Sequence, residues 1–425
     1  MLDIRLIRDN PEKVVERLKA RGKSDEAAVA LILDVDAKRR EVIAEVEKLK
    51  AERNSISKDI GGRKAKGESA DDLLAGMKEK SDRIADLDKK QTELDEQQRD
   101  LLLQVPNLPH EACPVGLDAT ANPVVRTFGE KPVFDFEPLE HVPLVERLGI
   151  VDFAAGAKIS GSGFFVFRGQ GARLERALLN FLLDLHTGEH GYTEIFPPFL
   201  VREASMYGTS QLPKFREDMY RLEGEDLFLA PTAEVPVTNL HREEILNKEQ
   251  LPIRYAAYTP CFRKEAGSAG KDNRGMIRVH QFDKVELVKI VEPQTSYEEL
   301  EALRKNAEKV LELLGLHYRT IELCTGDMGF GAAKCYDIEV WAPGSKSYLE
   351  VSSCSNFEDF QARRMNLRYK TEDKKNVFCH TLNGSGTALP RLFVALVETG
   401  QQKDGSIKLP AVLHSYFGAT EIRLK

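Results

Sequence analysis

Between about residue 27 and residue 105 apolar side chains recur at heptad spacing in two successive runs, which restricts this part of the chain to a helical hairpin. Val35, Val42, Leu49 and Ile56 fall seven apart, with Ile32, Val46 and Ile60 on the partner seam and Arg39 and Arg53 intruding. The second run places Leu73, Leu87, Leu94 and Leu101 on one seam and Met77, Ile84 and Val105 on the other, with Lys80, Gln91 and Gln98 intruding. Between them, Gly61-Gly62-Arg63-Lys64-Ala65-Lys66-Gly67 predicts a tight reversal. Two helices of roughly 30 residues then form an antiparallel coiled coil about 45–50 Å long. A two-helix hairpin has no third face to bury, which accounts for its polar remainder.

Ahead of it, Asn10 as cap, Pro11 at the first position, the stripe Val14, Val15, Leu18 and a stop at Gly22 predict a short helix. Arg53, Lys58, Arg63, Lys64 and Lys66 around the reversal face only Asp59 there, a local positive excess suited to a phosphate backbone. An exposed turn between charged helices also collects lysines, so both readings stand. Val105-Pro106-Asn107-Leu108-Pro109 ends the hairpin, and the domain boundary is expected near residue 110.

The 425 residues carry 42% hydrophobic and 30% charged side chains and a formal charge of -7, which argues against nonspecific nucleic-acid coating but leaves room for a local basic patch. Apolar runs such as Leu178–Leu185 stop well short of the ~20 residues of a membrane span. The first twenty residues lack a signal-peptide core, so a cytoplasmic chain is expected. Cys113, Cys261, Cys324, Cys335, Cys354 and Cys379 are scattered, which points away from disulfides and structural zinc. After residue 110, alternating runs (Val285–Val291, Ile338–Trp341, Tyr348–Val351) mix with helical ones (Leu174–His186, Thr295–Leu314, Pro390–Gly400), predicting an α+β domain on a largely antiparallel sheet. A Walker-type phosphate loop is missing, so bound ATP would need another holder.

Thr259-Pro260-Cys261-Phe262-Arg263-Lys264-Glu265 reads as a strand end, residues 266–275 as a glycine-rich loop and Ile277–Glu286 as the returning strand. Residues two apart share a face, so Arg263 and Glu265 project together, either toward a phosphate or carboxylate or as a surface salt pair. Glu286 shares a face with Val288 and Ile290 and needs a cation or donors there; a ligand ammonium or a solvated edge would serve. Thr232 and Glu234 repeat the spacing. Glu350 and Ser353 supply hard oxygens for Mg²⁺, but strict alternation sets them on opposite faces, so pairing them requires a bulge or strand end. Asn383-Gly384-Ser385-Gly386-Thr387-Ala388-Leu389-Pro390-Arg391 reads as a small-residue loop entering a helix, where Arg391 opposes the dipole unless a phosphate offsets it.

Together these segments resemble a known family. The FRKE stretch closing at Arg278-Val279-His280-Gln281-Phe282, the approach to Arg391, and Pro197-Pro198 within Gly191–Val201 are similar to the three signature motifs of class II aminoacyl-tRNA synthetases. The Thr232-Ala233-Glu234, Glu350-Val351-Ser352-Ser353 and Asn383-Gly384-Ser385 segments, with the hairpin, resemble bacterial seryl-tRNA synthetases from end to end.

The resemblance implies a tRNA-binding arm at 1–110 and, at 111–425, a catalytic domain on a seven-stranded antiparallel sheet flanked by helices. It implies a homodimer that uses ATP with Mg²⁺ and no zinc, activates L-serine and charges tRNA(Ser), with tRNA(Sec) a second candidate. Arg263 would contact the α-phosphate and the serine carboxylate, Glu265 the adenine side, Val279 the adenine through its backbone, and Phe282 the ring face. Arg391 would hold the γ-phosphate, and Glu350 and Ser353 the Mg²⁺; Lys264, Val351 and Ser352 complete the implied ATP site. Thr232, Ala233, Glu234, Glu286 and Ser385 would form the serine site, with Arg263, Glu286 and Arg391 the catalytic set. Arg53, Lys58, Arg63, Lys64 and Lys66 would meet tRNA. Two rivals are a ligase loading a carrier protein and a non-catalytic coiled-coil adaptor; tRNA charging and ATP–pyrophosphate exchange separate them.

Overall fold

The computed structural model describes residues 1–22, 26–266 and 275–424. The chain divides into two compact units, Met1–Lys19 with Lys23–Pro106 and Ala20–Gly22 with Asn107–Lys425.

The first unit holds two short helices, α1 (Ile4–Asp9) and α2 (Pro11–Lys19), and two long ones, α3 (Glu26–Ala65) and α4 (Asp71–Gln104). The heptads mark the contact: Val35, Val42 and Val46 bury against Leu87 and Leu94. Most polar intruders find partners across it, Arg39 on Asp95 and Lys80 on Glu52. Gln98 donates to the buried Asp36 at 3.1 Å, and Arg8 reaches the same carboxylate at 2.8 Å. Burial alone would raise that carboxyl; the hydrogen bonds from Arg8 and Gln98 outweigh it and hold it below its ordinary value.

The hairpin departs from expectation at its tip. α3 runs through Gly61 and Gly62 to Ala65, so the helices have 40 and 34 residues, about 60 and 51 Å at 1.5 Å per residue. Ile60 is still buried, and that packing offsets roughly 1 kcal/mol of helix propensity lost at each glycine. The reversal falls after Ala65, where Gly67 adopts φ +74°. α1 was not expected, because six residues are too few to show a period; Asp3 caps it, accepting the Arg5 N–H at 2.9 Å. Asn10 ends α1, its N–H on Leu6 O, and also passes its carbonyl to Val14 N–H.

The second unit is built from β1 (Val124–Phe128), α5 (Gln170–Gly188), β2 (Thr193–Ile195), α6 (Glu234–Thr238), β3 (Ile253–Phe262), β4 (Gln281–Val291), α7 (Ser296–Leu313), β5 (Tyr318–Glu322), β6 (Lys334–Ala342), β7 (Ser347–Asn356), β8 (His380–Ala388) and α8 (Leu389–Gly400). The strands form one sheet in the order β1-β5-β6-β7-β8-β4-β3-β2. Neighbours run antiparallel except β2, which lies parallel to β3. The implied seven-stranded sheet is therefore an eight-stranded one; the long connection from β2 to β3 is what permits a parallel edge. Helices α5, α7 and α8 pack on one face, where Val285, Leu287, Ile338, Val340 and Leu382 meet Leu178, Leu303 and Phe393 in the main core. Alternation then turns Lys284 and Glu286 to the opposite face.

Three local expectations are corrected. The returning strand begins at Gln281, not Ile277, and residues 267–274 of the glycine-rich loop lie outside the described residues. Asn383–Ala388 is not a loop but part of β8, inside the sheet. Its glycines serve close packing: a Cβ on Gly386 would come 2.7 Å from His186 Nε2. Thr232 and Glu234 lie at a turn and at the start of α6 rather than along a strand. The six cysteines are all buried and free. Among the described residues no helix is long and apolar enough to cross a membrane.

Candidate active site

On the open face of the sheet, two cavities of about 260 and 800 Å³ share Arg263, Glu265, Arg278, Lys284, Glu350 and Ser385 as walls and so form one cleft. The smaller end adds Val279, Phe282, Val351 and Arg391; the larger adds Thr232, Glu234, Glu286 and Ser353.

At the smaller end, β3 stops at Phe262, so Arg263 and Glu265 do not share an extended face; Glu265 takes φ +50° instead. Arg263 is held by other means. Its Nε donates to Pro231 O at 3.3 Å, and its guanidinium lies 5.2 Å from the Phe282 ring centroid. Glu265 pairs with Arg278 at 3.3 Å. Arg391, in the first turn of α8, donates to Ile277 O at 3.2 Å and Glu350 O at 2.8 Å, and lies 3.6 Å from the Glu350 carboxylate. That carboxylate offsets part of the dipole penalty expected of the arginine.

Glu350 and Ser353 do come together. Ser352 pairs with Ile338 but Glu350 with Glu339, which leaves Val351 as the extra residue of a β-bulge. The bulge reverses the alternation, and both oxygens face the cleft. Asp337, opposite Ser353 in the ladder, was missed; burial first, and the Glu350 charge after it, push its carboxyl up to about 8.

At the larger end Glu286 is buried, and its cation is Lys284, with Nζ 2.5 Å from Oε2. The strand is interior, so the solvated-edge reading fails. Lys284 also donates to Thr232 Oγ1 at 2.9 Å, and Ser385 Oγ lies 3.5 Å from Glu286 Oε2. Glu234 is buried and accepts Gln361 Nε2 at 2.6 Å; burial, with Glu286 nearby, raises its carboxyl to about 7 against that hydrogen bond. Sequence reasoning passed over Lys284, although the two-apart rule applied to Glu286 finds it. Gln361, far along the chain, left no signal.

Three residues of the implied sites do not bring their side chains to the cleft. Ala233 packs with Val237, Ala257 and Val288 in a small core. Ser352, turned away by the bulge, donates to Ser385 O at 2.6 Å and ties β7 to β8. Lys264 points to the Tyr220 ring, 6.0 Å away, while its N–H binds Asp218 O.

On the hairpin, Lys58, Lys64 and Lys66 are exposed and Arg53 is half-buried. Arg63 is paired with Asp72 at 3.0 Å, so the counting of charges that left Asp59 alone is corrected. With α3 extended to Ala65, Glu68, Asp71 and Asp72 join the tip, and Arg63 and Lys64 sit in the last helical turn, where the dipole favours them.

An antiparallel sheet backed by helices, with a guanidinium beside an aromatic at one end of its cleft and a carboxylate set at the other, defines a class II aminoacyl-tRNA synthetase core. Residues 216–400 match the tRNA synthetase class II core domain of the G, H, P, S and T group, and residues 1–109 the seryl-tRNA synthetase N-terminal domain. A serine–tRNA ligase of Akkermansia muciniphila is 60% identical over 100% of this chain and 99% of its own length. The seryl-tRNA synthetase of Pyrococcus horikoshii, solved with ATP, superposes with TM-score 0.94 at 41% identity, each chain fully covered. That of Naegleria fowleri, solved with AMP, gives 0.89 at 29% over 100% and 99%. The chain belongs to the seryl-tRNA synthetase family. Neither the carrier-protein ligase nor the silent adaptor finds support among these relatives.

Proposed function

We propose that the cleft is where this enzyme, an ATP-dependent serine–tRNA ligase, joins L-serine to AMP before passing it to the 3′ end of tRNA(Ser). The observation that carries the reading is the meeting, in one cleft, of a buried acidic subsite with an arginine and aromatic end. Thr232, Glu234 and Glu286 take the serine ammonium and hydroxyl, with Ser385 beside the hydroxyl. Phe282 and the Val279 backbone hold adenine, with Glu265 on its outer side, and Arg391 takes the γ-phosphate. Arg263 bridges the serine carboxylate and the α-phosphate. The carboxylate attacks phosphorus in line, pyrophosphate leaves, and rate comes from positioning and charge stabilisation without a protein nucleophile.

Glu350 and Ser353 offer a donor set suited to Mg²⁺: hard oxygens on one face, next to the buried acid Asp337. Among the described residues no three His, Cys, Asp or Glu side chains are arranged to hold a metal ion by themselves, so an ion there would complete its shell with phosphate and water. Bound Mg²⁺ would neutralise phosphate charge. A pocket that hydrogen-bonds a hydroxyl disfavours alanine and glycine, and crowding disfavours threonine. The exposed lysines of the hairpin serve tRNA backbone recognition, read by shape, in a cytoplasmic homodimer; tRNA(Sec) is a second substrate to test. The test is serine-dependent ATP–pyrophosphate exchange: Arg263→Ala is expected to lower it about 10²- to 10³-fold. Exchange near the wild-type rate removes Arg263 from the α-phosphate.

A further inference from the structure

Thr232 Oγ1 has no acceptor capacity left. It takes the Glu234 N–H at 3.3 Å and Lys284 Nζ at 2.9 Å, and a hydroxyl oxygen has two lone pairs. The same Nζ lies 2.5 Å from Glu286, in a pair whose side chains are 7% and 1% exposed. A lysine of the chain itself therefore sits on the acceptors assigned above to the substrate ammonium. A second ammonium, or a substrate hydroxyl, can donate to Thr232 only after Lys284 leaves. Glu286, buried as it is, needs one cation or the other beside it.

Lys284 has a place to go. It borders both ends of the cleft, beside Arg263, at the junction where the amino-acid carboxylate would meet the α-phosphate. Its flexible stem and rotatable donors suit such a move, whereas Arg263 is tethered to Pro231.

We propose that Lys284 is a displaceable internal ammonium: it occupies Glu286 and Thr232 in the empty enzyme, yields them to the ammonium of serine, and swings to the junction to stabilise the charge of carboxylate and α-phosphate during adenylate formation. The inference rests on the serine subsite proposed above. No covalent bond to Lys284 forms or breaks. A fixed structural lysine would instead affect serine binding and turnover alike.

The experiment measures serine Kd by calorimetry, and KM and kcat for pyrophosphate exchange, on full-length wild type, Lys284→Met and Lys284→Cys. The cysteine variant is also assayed after alkylation with 2-bromoethylamine, which rebuilds an ammonium at that site; the six native cysteines are buried. ATP binding checks that each variant is folded. For Lys284→Met, kcat is expected to fall about 10²-fold while serine Kd stays within about threefold of wild type or tightens, and alkylation of Lys284→Cys is expected to restore most of kcat. A kcat near wild type, or a Kd weakened in step with kcat, overturns the proposal. If neither variant folds, the wild type decides it: in a crystal with an unreactive seryl-adenylate mimic, Lys284 Nζ should have left Thr232 and Glu286, and finding it still on both overturns the proposal. Wild type lacking exchange with serine would instead sink the subsite on which the inference rests.

Discussion

Glu234 shows how burial tunes one side chain. Its carboxyl is lifted to about 7 because burial penalises the charged form, and Glu286 adds to the effect. A carboxyl with a raised folded value holds its proton until about 7, and only the ionised form attracts an ammonium at full strength. Serine KM in the exchange assay is therefore expected to fall as pH rises from about 6 to about 8, and Glu234→Gln to flatten that profile. The same shift costs folding stability, by an amount that grows as pH rises from 4.5 to about 7 and is constant above. A profile that is flat in wild type would mean Glu234 does not receive the ammonium. At this scale the candidate residues were legible by type: Glu286, an acid on an apolar strand face, demands a partner, and Lys284 two residues away supplies it. The partner of Glu234 was not legible, because Gln361 approaches it from a distant segment.

The elements divide the same way. The long helices were legible because a seven-residue repeat is written in consecutive side chains, whereas their ends were misjudged because glycine was read as a stop. Gly61 and Gly62 are exposed, helical and have open space where a Cβ would go. Gly61→Ala and Gly62→Ala are each expected to stabilise the hairpin by about 0.5–1 kcal/mol, seen as a rise in thermal midpoint. Gly67→Ala, at φ +74°, is expected to cost about 1 kcal/mol. If alanine at 61 or 62 destabilised instead, the helix would not continue through them. β8 was read as a loop for the opposite reason: its small residues answer neighbours, His186 and Cys354, that no local pattern announces.

At the scale of the molecule, the two units have separate cores, the helical seam in one and the sheet with α5, α7 and α8 in the other. Removing residues 32–103 is expected to abolish tRNA charging while leaving serine-dependent pyrophosphate exchange within about tenfold of the full chain. Loss of both would show that the cleft depends on the hairpin. What the amino-acid order determined by itself was whatever repeats or sits within a few residues: helical seams, alternating strands, and the chemical types gathered in each motif. Only the tertiary structure decided that Val351 bulges to bring Glu350 beside Ser353, that β8 lies inside the sheet, and that Lys284 occupies both Glu286 and Thr232. Those outcomes depend on register between segments distant in the chain, which is set by the packing of whole elements and leaves little trace in any local run of residues.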